Sequence, residues 1–117
     1  MNTLLVLNHN PYDGTDITWN ALRLGEKLLD RGSELRIFLM NDSVDLAKEG
    51  VIPQEGYFNL AEILQGLIGR GVSVKVCGTC LVRCGIHKNK SLISGAIEVK
   101  MPELAEWIME SDRVISF

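Results

Sequence analysis

The sequence predicts a single α/β domain, a mostly parallel five-stranded sheet wound in both directions with helices on both faces. Three observations predict it. The 117 residues suffice for one hydrophobic core and not for two. Short apolar runs without polar alternation, the mark of strands buried on both faces, recur along the chain. Between them lie segments with helical apolar spacing, and strands alternating with helices in a short chain imply a parallel sheet. Residues 1–117 are therefore one domain. With 46% hydrophobic residues the core needs no disulfides, and with only 6% aromatics it must be mainly aliphatic.

The first strand is the run Thr3 to Asn8, followed by turn residues from Asn10 to Gly14. Thr15 or Asp16 can cap a helix carrying Ile17, Ala21, Leu22, Leu24, Leu28 and Leu29, which Arg31-Gly32 ends. Glu34 to Met40 is the second strand. Asn41-Asp42 caps a short helix over Ser43 to Glu49, and a Pro- and Gly-punctuated connection follows. Asn59 caps a helix with a stripe of Leu60, Ile63, Leu64, Leu67 and Ile68, suited both to the core and to a contact between identical subunits. Val72 to Val76 is the third strand and runs directly into Cys77. After the cysteine loop and a polar stretch from His87 to Ser91, Ala96 to Val99 forms a short fourth strand. Met101, with Pro102 in the first turn, opens the last helix, and Arg113 to Phe117 is the final strand.

Composition excludes several functions. A net charge of -3, without a run of like charge, argues against binding nucleic acid, and Trp19, Tyr57, Phe58 and Trp107 are too scattered for a base-stacking surface. No apolar run reaches membrane-spanning length, and the apolar start Met1 to Leu7 lacks the features of a signal peptide. All three cysteines fall between positions 77 and 84, too close together for a disulfide framework. That cluster indicates thiol chemistry or a metal in a reducing, cytoplasmic compartment.

In an open α/β sheet, ligands collect at the carboxyl ends of strands. Two loops qualify, Asn8 to Gly14 and Cys77 to Gly85. The first has one glycine and no run of hydroxyl side chains, so it does not read as a phosphate cradle and no cofactor is implied. It reads as a loop packed near the cysteines or at a subunit contact, with His9 as a candidate proton donor. In the second loop, a helix beginning at Gly78 would place the Cys77 sulfur at its N-terminus, where free N–H groups favour a thiolate that solvent and partners can reach. Arg83 would add positive charge. Cys77 and Cys80 also form a C-x-x-C pair capable of a reversible disulfide, and Cys80 and Cys84, with three residues between them, offer another. The alternative is a zinc or iron module using Cys77, Cys80, Cys84 and His87. On a straight helix those four span about 15 Å, so ions with bonds of about 2.0–2.3 Å could gather them from an irregular loop, or from two or three subunits each giving a pair.

The residues carrying a family resemblance extend over almost the whole chain. They are Asn8-His9-Asn10-Pro11-Tyr12-Asp13-Gly14 with Trp19 to Leu24, Phe38 to Val44, Pro53 to Tyr57, Val74 to Cys80, Glu103 to Trp107 and Asp112 to Phe117. In these segments the chain resembles the DsrE/DsrF-like family, most of all its small YchN-like members. The resemblance implies a doubly wound α/β fold and a trimer, hexamer or related ring. It implies that Cys77 matches the cysteine on which sulfur-relay members such as TusD and DsrE carry a persulfide, passed to a relay partner with a thiol. Cys80 matches a second cysteine of YchN-like members and would resolve the persulfide. One departure stands out. Members often have Arg just before the glycine matching Gly85, whereas here Cys84 takes that place and Arg83 lies one earlier. Three functions remain open at this point: sulfur transfer through Cys77, metal binding, and a non-catalytic oligomeric subunit whose thiols sense oxidants.

Overall fold

The first strand, β1 (Asn2–Leu7), buries Thr3, Leu4, Leu5 and Leu7 because neighbours flank it and helices cover its faces. The structure is a computed structural model describing residues 1–87 and 89–117. The remaining elements are α1 (Ile17–Asp30), β2 (Glu34–Leu39), a 3-10 helix (Asn41–Ala47), α2 (Leu60–Gly69), β3 (Ser73–Cys77), α3 (Gly78–Arg83), β4 (Ala96–Val99), α4 (Met101–Glu110) and β5 (Arg113–Ser116). The sheet order is β4-β3-β2-β1-β5, and every pairing is parallel. The chain winds from β1 to one edge and returns through α4 to add β5 beside β1.

Register assigns the faces. Leu5 lies beside Ile37, which lies beside Val74. This face meets α1 and α2: a Cβ on Gly25 would meet Leu35, Leu5 and Leu67 at 3.0, 3.4 and 4.0 Å. α1 therefore needs glycine there to approach the sheet closely. On the opposite face Val6, Phe38 and Lys75 are in register. Phe38 meets the edge of Trp107 from α4 at 6.2 Å, and the Lys75 ammonium sits 4.4 Å from the same ring. Helices thus lie on both faces.

Local signals ended the elements where the sequence indicated. Gly32, at φ +91°, follows α1, and the Asn59 side chain accepts the Glu62 N–H to cap α2. Pro102 lies in the first turn of α4. Two expectations change. The segment after β2 is a 3-10 helix beginning at Asn41, which itself takes the left-handed conformation (φ +51°) that asparagine tolerates, so Asn41-Asp42 does not act as a cap. Asp16 occupies the N-cap position of α1 without a side-chain cap hydrogen bond. The helix considered from Gly78 is present and runs for six residues. The predicted polar stretch 87–91 includes residue 88, which lies outside the described residues. The stripe on α2 serves the core, with Leu60, Leu64 and Leu67 buried and Ile63 and Ile68 half-buried.

Candidate functional site

β3 delivers Cys77 to the carboxyl end of the sheet, and the chain turns there into α3. Gly78 makes the turn feasible, since a Cβ on it would crowd Glu98 Cγ at 3.1 Å and the Val99 carbonyl at 3.2 Å. Cys77 is the N-cap of α3, and its Sγ accepts the backbone N–H of Cys80 at 3.4 Å. At the other end the Cys84 N–H donates to the Cys80 carbonyl at 2.7 Å, and Cys84, with extended dihedrals, is the C-cap where the helix stops. Cys80 thus lies inside α3 with a cysteine at each of its caps.

The expectation that the Cys77 sulfur is open to solvent and partners is corrected. Residue 77 is only 4% exposed and Cys80 only 8%, while Cys84 is partly exposed. Apolar packing produces this: Cys77 and Cys80 belong to the same core cluster as Val76 and Leu81. Burial, chiefly, pushes the Cys80 thiol up to about 12, and its hydrogen bond with Cys77 and the nearby Cys77 and Cys84 thiols act in the same direction. The Asn41 N–H, donating to Cys80 Sγ at 3.2 Å, opposes them. Cys80 is thus a thiol, not a thiolate, at neutral pH.

The surrounding polar network ties three loops together. Asn41 Nδ2 donates to Asn8 Oδ1 at 3.0 Å, joining the first loop to the residue that contacts Cys80. Asp45, only 1% exposed, accepts from Asn10 Nδ2 at 3.0 Å, from the Ile86 N–H at 2.9 Å and from the His87 N–H at 3.3 Å. Asp42 Oδ1 accepts the Gly85 N–H at 2.9 Å. The 3-10 helix therefore supplies two carboxylates that hold the exit of the cysteine loop. Beside this network opens a cleft of about 420 Å³ whose walls include Asn10, Tyr12, Asp45, Pro53, Tyr57 and His87. None of the cysteines lines it, so the thiol chemistry lies beside the cleft rather than in it.

A family model described as DsrE/DsrF-like matches residues 1–117. The chain belongs to the DsrE/DsrF-like family. Within it, YchN of Escherichia coli K12 is 38% identical over 116 residues, which is 97% of each chain. An uncharacterised protein of Methanocaldococcus jannaschii is 36% identical over 117 residues, all of both chains. The crystal structure of E. coli YchN superposes with a TM-score of 0.87 at 36% identity, covering 100% of this chain and 99% of the other. A protein of unknown function from Methanobacterium thermoautotrophicum shares the fold, with a TM-score of 0.69 at 13% identity over 99% of this chain and 98% of the other.

This DsrE/DsrF-like domain brings together some of the residues singled out in the sequence and separates others. Cys77, Cys80 and Cys84 form one cluster. Arg83 is exposed in the last turn of α3, whereas the sulfurs of Cys77 and Cys80 are buried. His9 is exposed, with Nδ1 3.8 Å from Asp13 Oδ2. Asp13 is lowered mainly by the Thr15 hydroxyl, with His9 adding a smaller charge effect. His87 takes part in the site through its backbone N–H. Among the described residues no group of three or more His, Cys, Asp or Glu side chains is placed to hold a metal ion, the set Cys77, Cys80, Cys84 and His87 included. Also among the described residues, no helix is long and apolar enough to cross a membrane.

Sequence reasoning missed Asn41, Asp42 and Asp45. The available signal was a carboxylate, Asp45, between Val44 and Leu46 in a segment otherwise fit for the core. A buried carboxylate demands donors, and here those donors are the Asn10 side-chain amide and two backbone N–H groups more than forty residues away.

Proposed function

We propose that this protein carries sulfane sulfur as a persulfide on Cys77 and passes it to the thiol of a partner protein. The observation that carries the reading is the thiol cluster at the head of α3, in which Cys77 Sγ accepts the Cys80 backbone N–H at 3.4 Å and Cys80 Sγ accepts the Asn41 N–H at 3.2 Å. Donors aimed at a sulfur stabilise negative charge on it as an S–S bond forms or breaks. Family membership supports the same reading. Arg83, exposed beside Cys84, offers positive charge to an approaching anionic persulfide. Such chemistry suits a reducing compartment, and this supports a cytoplasmic location.

Exposure to glutathione persulfide, removal of the excess donor and mass spectrometry of alkylated peptides test the reading. One added sulfur mapped to Cys77 is the expected result. Sulfur found only on Cys80 and Cys84 overturns it.

We also infer that the protein is a homo-oligomer, a trimer or hexamer. The apolar side chains left open support this: Ile97 is 59% exposed, Met101 56%, Met109 86% and Val114 43%, on β4, α4 and β5. The metal alternative lacks a ligand cluster among the described residues. The oxidant-sensing alternative uses the same thiols and predicts disulfide in place of persulfide.

A further inference from the structure

We propose that Cys84 is the thiol through which sulfur enters and leaves, and that sulfur passes between Cys84 and Cys77 by way of Cys80. This rests on the persulfide reading above and supplies what that reading lacks, a route to a buried carrier.

Exposure along α3 runs in one direction. Cys77 is 4% exposed, Cys80 is 8% exposed, and Cys84 alone is partly open. A partner protein can therefore reach Cys84 and not Cys77. The surface around Cys84 suits docking, since Val82 and Ile86, two residues to either side, are 74% and 79% exposed. Two large apolar side chains held open beside a thiol form a contact for an apolar lip on a partner.

Spacing selects the intermediate. Cys77 and Cys84 are two turns apart, about 10 Å along the helix axis, too far for direct exchange between S–S bonds of about 2.05 Å. Cys80 is a neighbour of both: its N–H lies 3.4 Å from Cys77 Sγ, its carbonyl holds the Cys84 N–H at 2.7 Å, and both thiols act on its own. An extra sulfur atom on one thiol narrows the remaining gap. The same two hydrogen bonds hold the three positions together.

Each step exchanges one S–S bond for another. The Cys84 sulfur attacks the outer sulfur of the donor persulfide R–S–SH. The donor S–S bond breaks, R–S⁻ departs and takes up the proton that Cys84 releases, leaving Cys84–S–SH. Cys80 then attacks the terminal sulfur of that persulfide, and the departing Cys84 thiolate receives the Cys80 proton. A third exchange moves the sulfur from Cys80 to Cys77. No oxidant or reductant is consumed, and sulfane sulfur keeps its oxidation state throughout. Outward transfer to a partner thiol is the reverse sequence.

Loading with glutathione persulfide, quenched at intervals by alkylation and mapped by mass spectrometry, tests the route. In the unaltered protein, sulfur is expected on Cys84 first and on Cys77 later. Cys84→Ser is expected to slow loading of Cys77 at least tenfold, and Cys80→Ser to hold sulfur on Cys84. Thermal melts of both variants show whether the fold is kept, and the time order in the unaltered protein needs no substitution. Loading of Cys77 at the normal rate in Cys84→Ser or Cys80→Ser overturns the route while leaving Cys77 as carrier. Sulfur that stays on Cys84 in the unaltered protein overturns Cys77 as carrier, and the inward route with it.

Discussion

Cys80 differs from its two neighbours in what surrounds it. Its thiol sits among apolar side chains, close to Cys77 and Cys84, and is held at about 12 against an ordinary 9.0. A raised value means that the native state keeps this proton while the unfolded chain loses it. The stabilising contribution is whole below pH 9 and is lost as pH rises through about 12. The melting temperature is therefore expected to fall between pH 9 and pH 12, and Cys80→Ser should remove part of that slope. Equal slopes for both proteins would show that Cys80 is not desolvated as described. The same retained proton makes Cys80 a slow nucleophile and a poor leaving group, so its step is expected to set the rate of transfer between Cys84 and Cys77.

Contacts between elements decide where the cysteine helix sits. α3 is only six residues long, far below the length at which an isolated helix is stable. Its position comes from its two ends, β3 before it and the docked residues Gly85 to His87 after it. Gly85 takes φ +77°, and a Cβ there would run into the Asp45 carboxylate, lying 2.8 Å from its Cγ. Gly85→Ala thus meets both a left-handed backbone penalty and a clash with a carboxylate committed to three donors. A loss of about 2 kcal/mol or more is expected, read by denaturant unfolding, together with faster alkylation of Cys84 as the loop detaches. A variant as stable as the parent would mean that Asp45 does not latch this loop. The 3-10 helix is the third participant, because it presents Asp42 and Asp45 from a side chosen by packing on β2, β3 and α2.

At the scale of the molecule, the two sheet faces are covered unequally. α1 and α2 share one face, and α4 packs on the other, where Trp107 meets Phe38 edge-on and the Arg36 and Lys75 cations lie over its ring. The edge strands β4 and β5 keep exposed apolar side chains, as does α4. Covering such surface with a second copy removes apolar area from water at about 25 cal/mol per Å². Sedimentation equilibrium is expected to show a trimer or hexamer, and Met109→Glu to lower the mass. A monomer at micromolar concentration would refute the assembly.

The sequence alone determined the alternation of strands and helices, the Asn59 cap, the Gly32 stop and the place of the thiols. Asn59, Gly32 and Pro102 act within one or two turns of themselves, so their meaning is carried by neighbouring residues. The position of Cys77 followed from an apolar run ending in a glycine. Tertiary structure alone decided that Cys77 is buried and Cys84 open, and that Asp45 joins Asn10 to Ile86 and His87. It also decided that Asn41 turns a backbone N–H toward Cys80. Exposure and hydrogen-bond partnership depend on which distant segments fold over a residue. Short-range spacing cannot encode that, because a buried carboxylate or thiol finds its donors wherever the sheet order brings them.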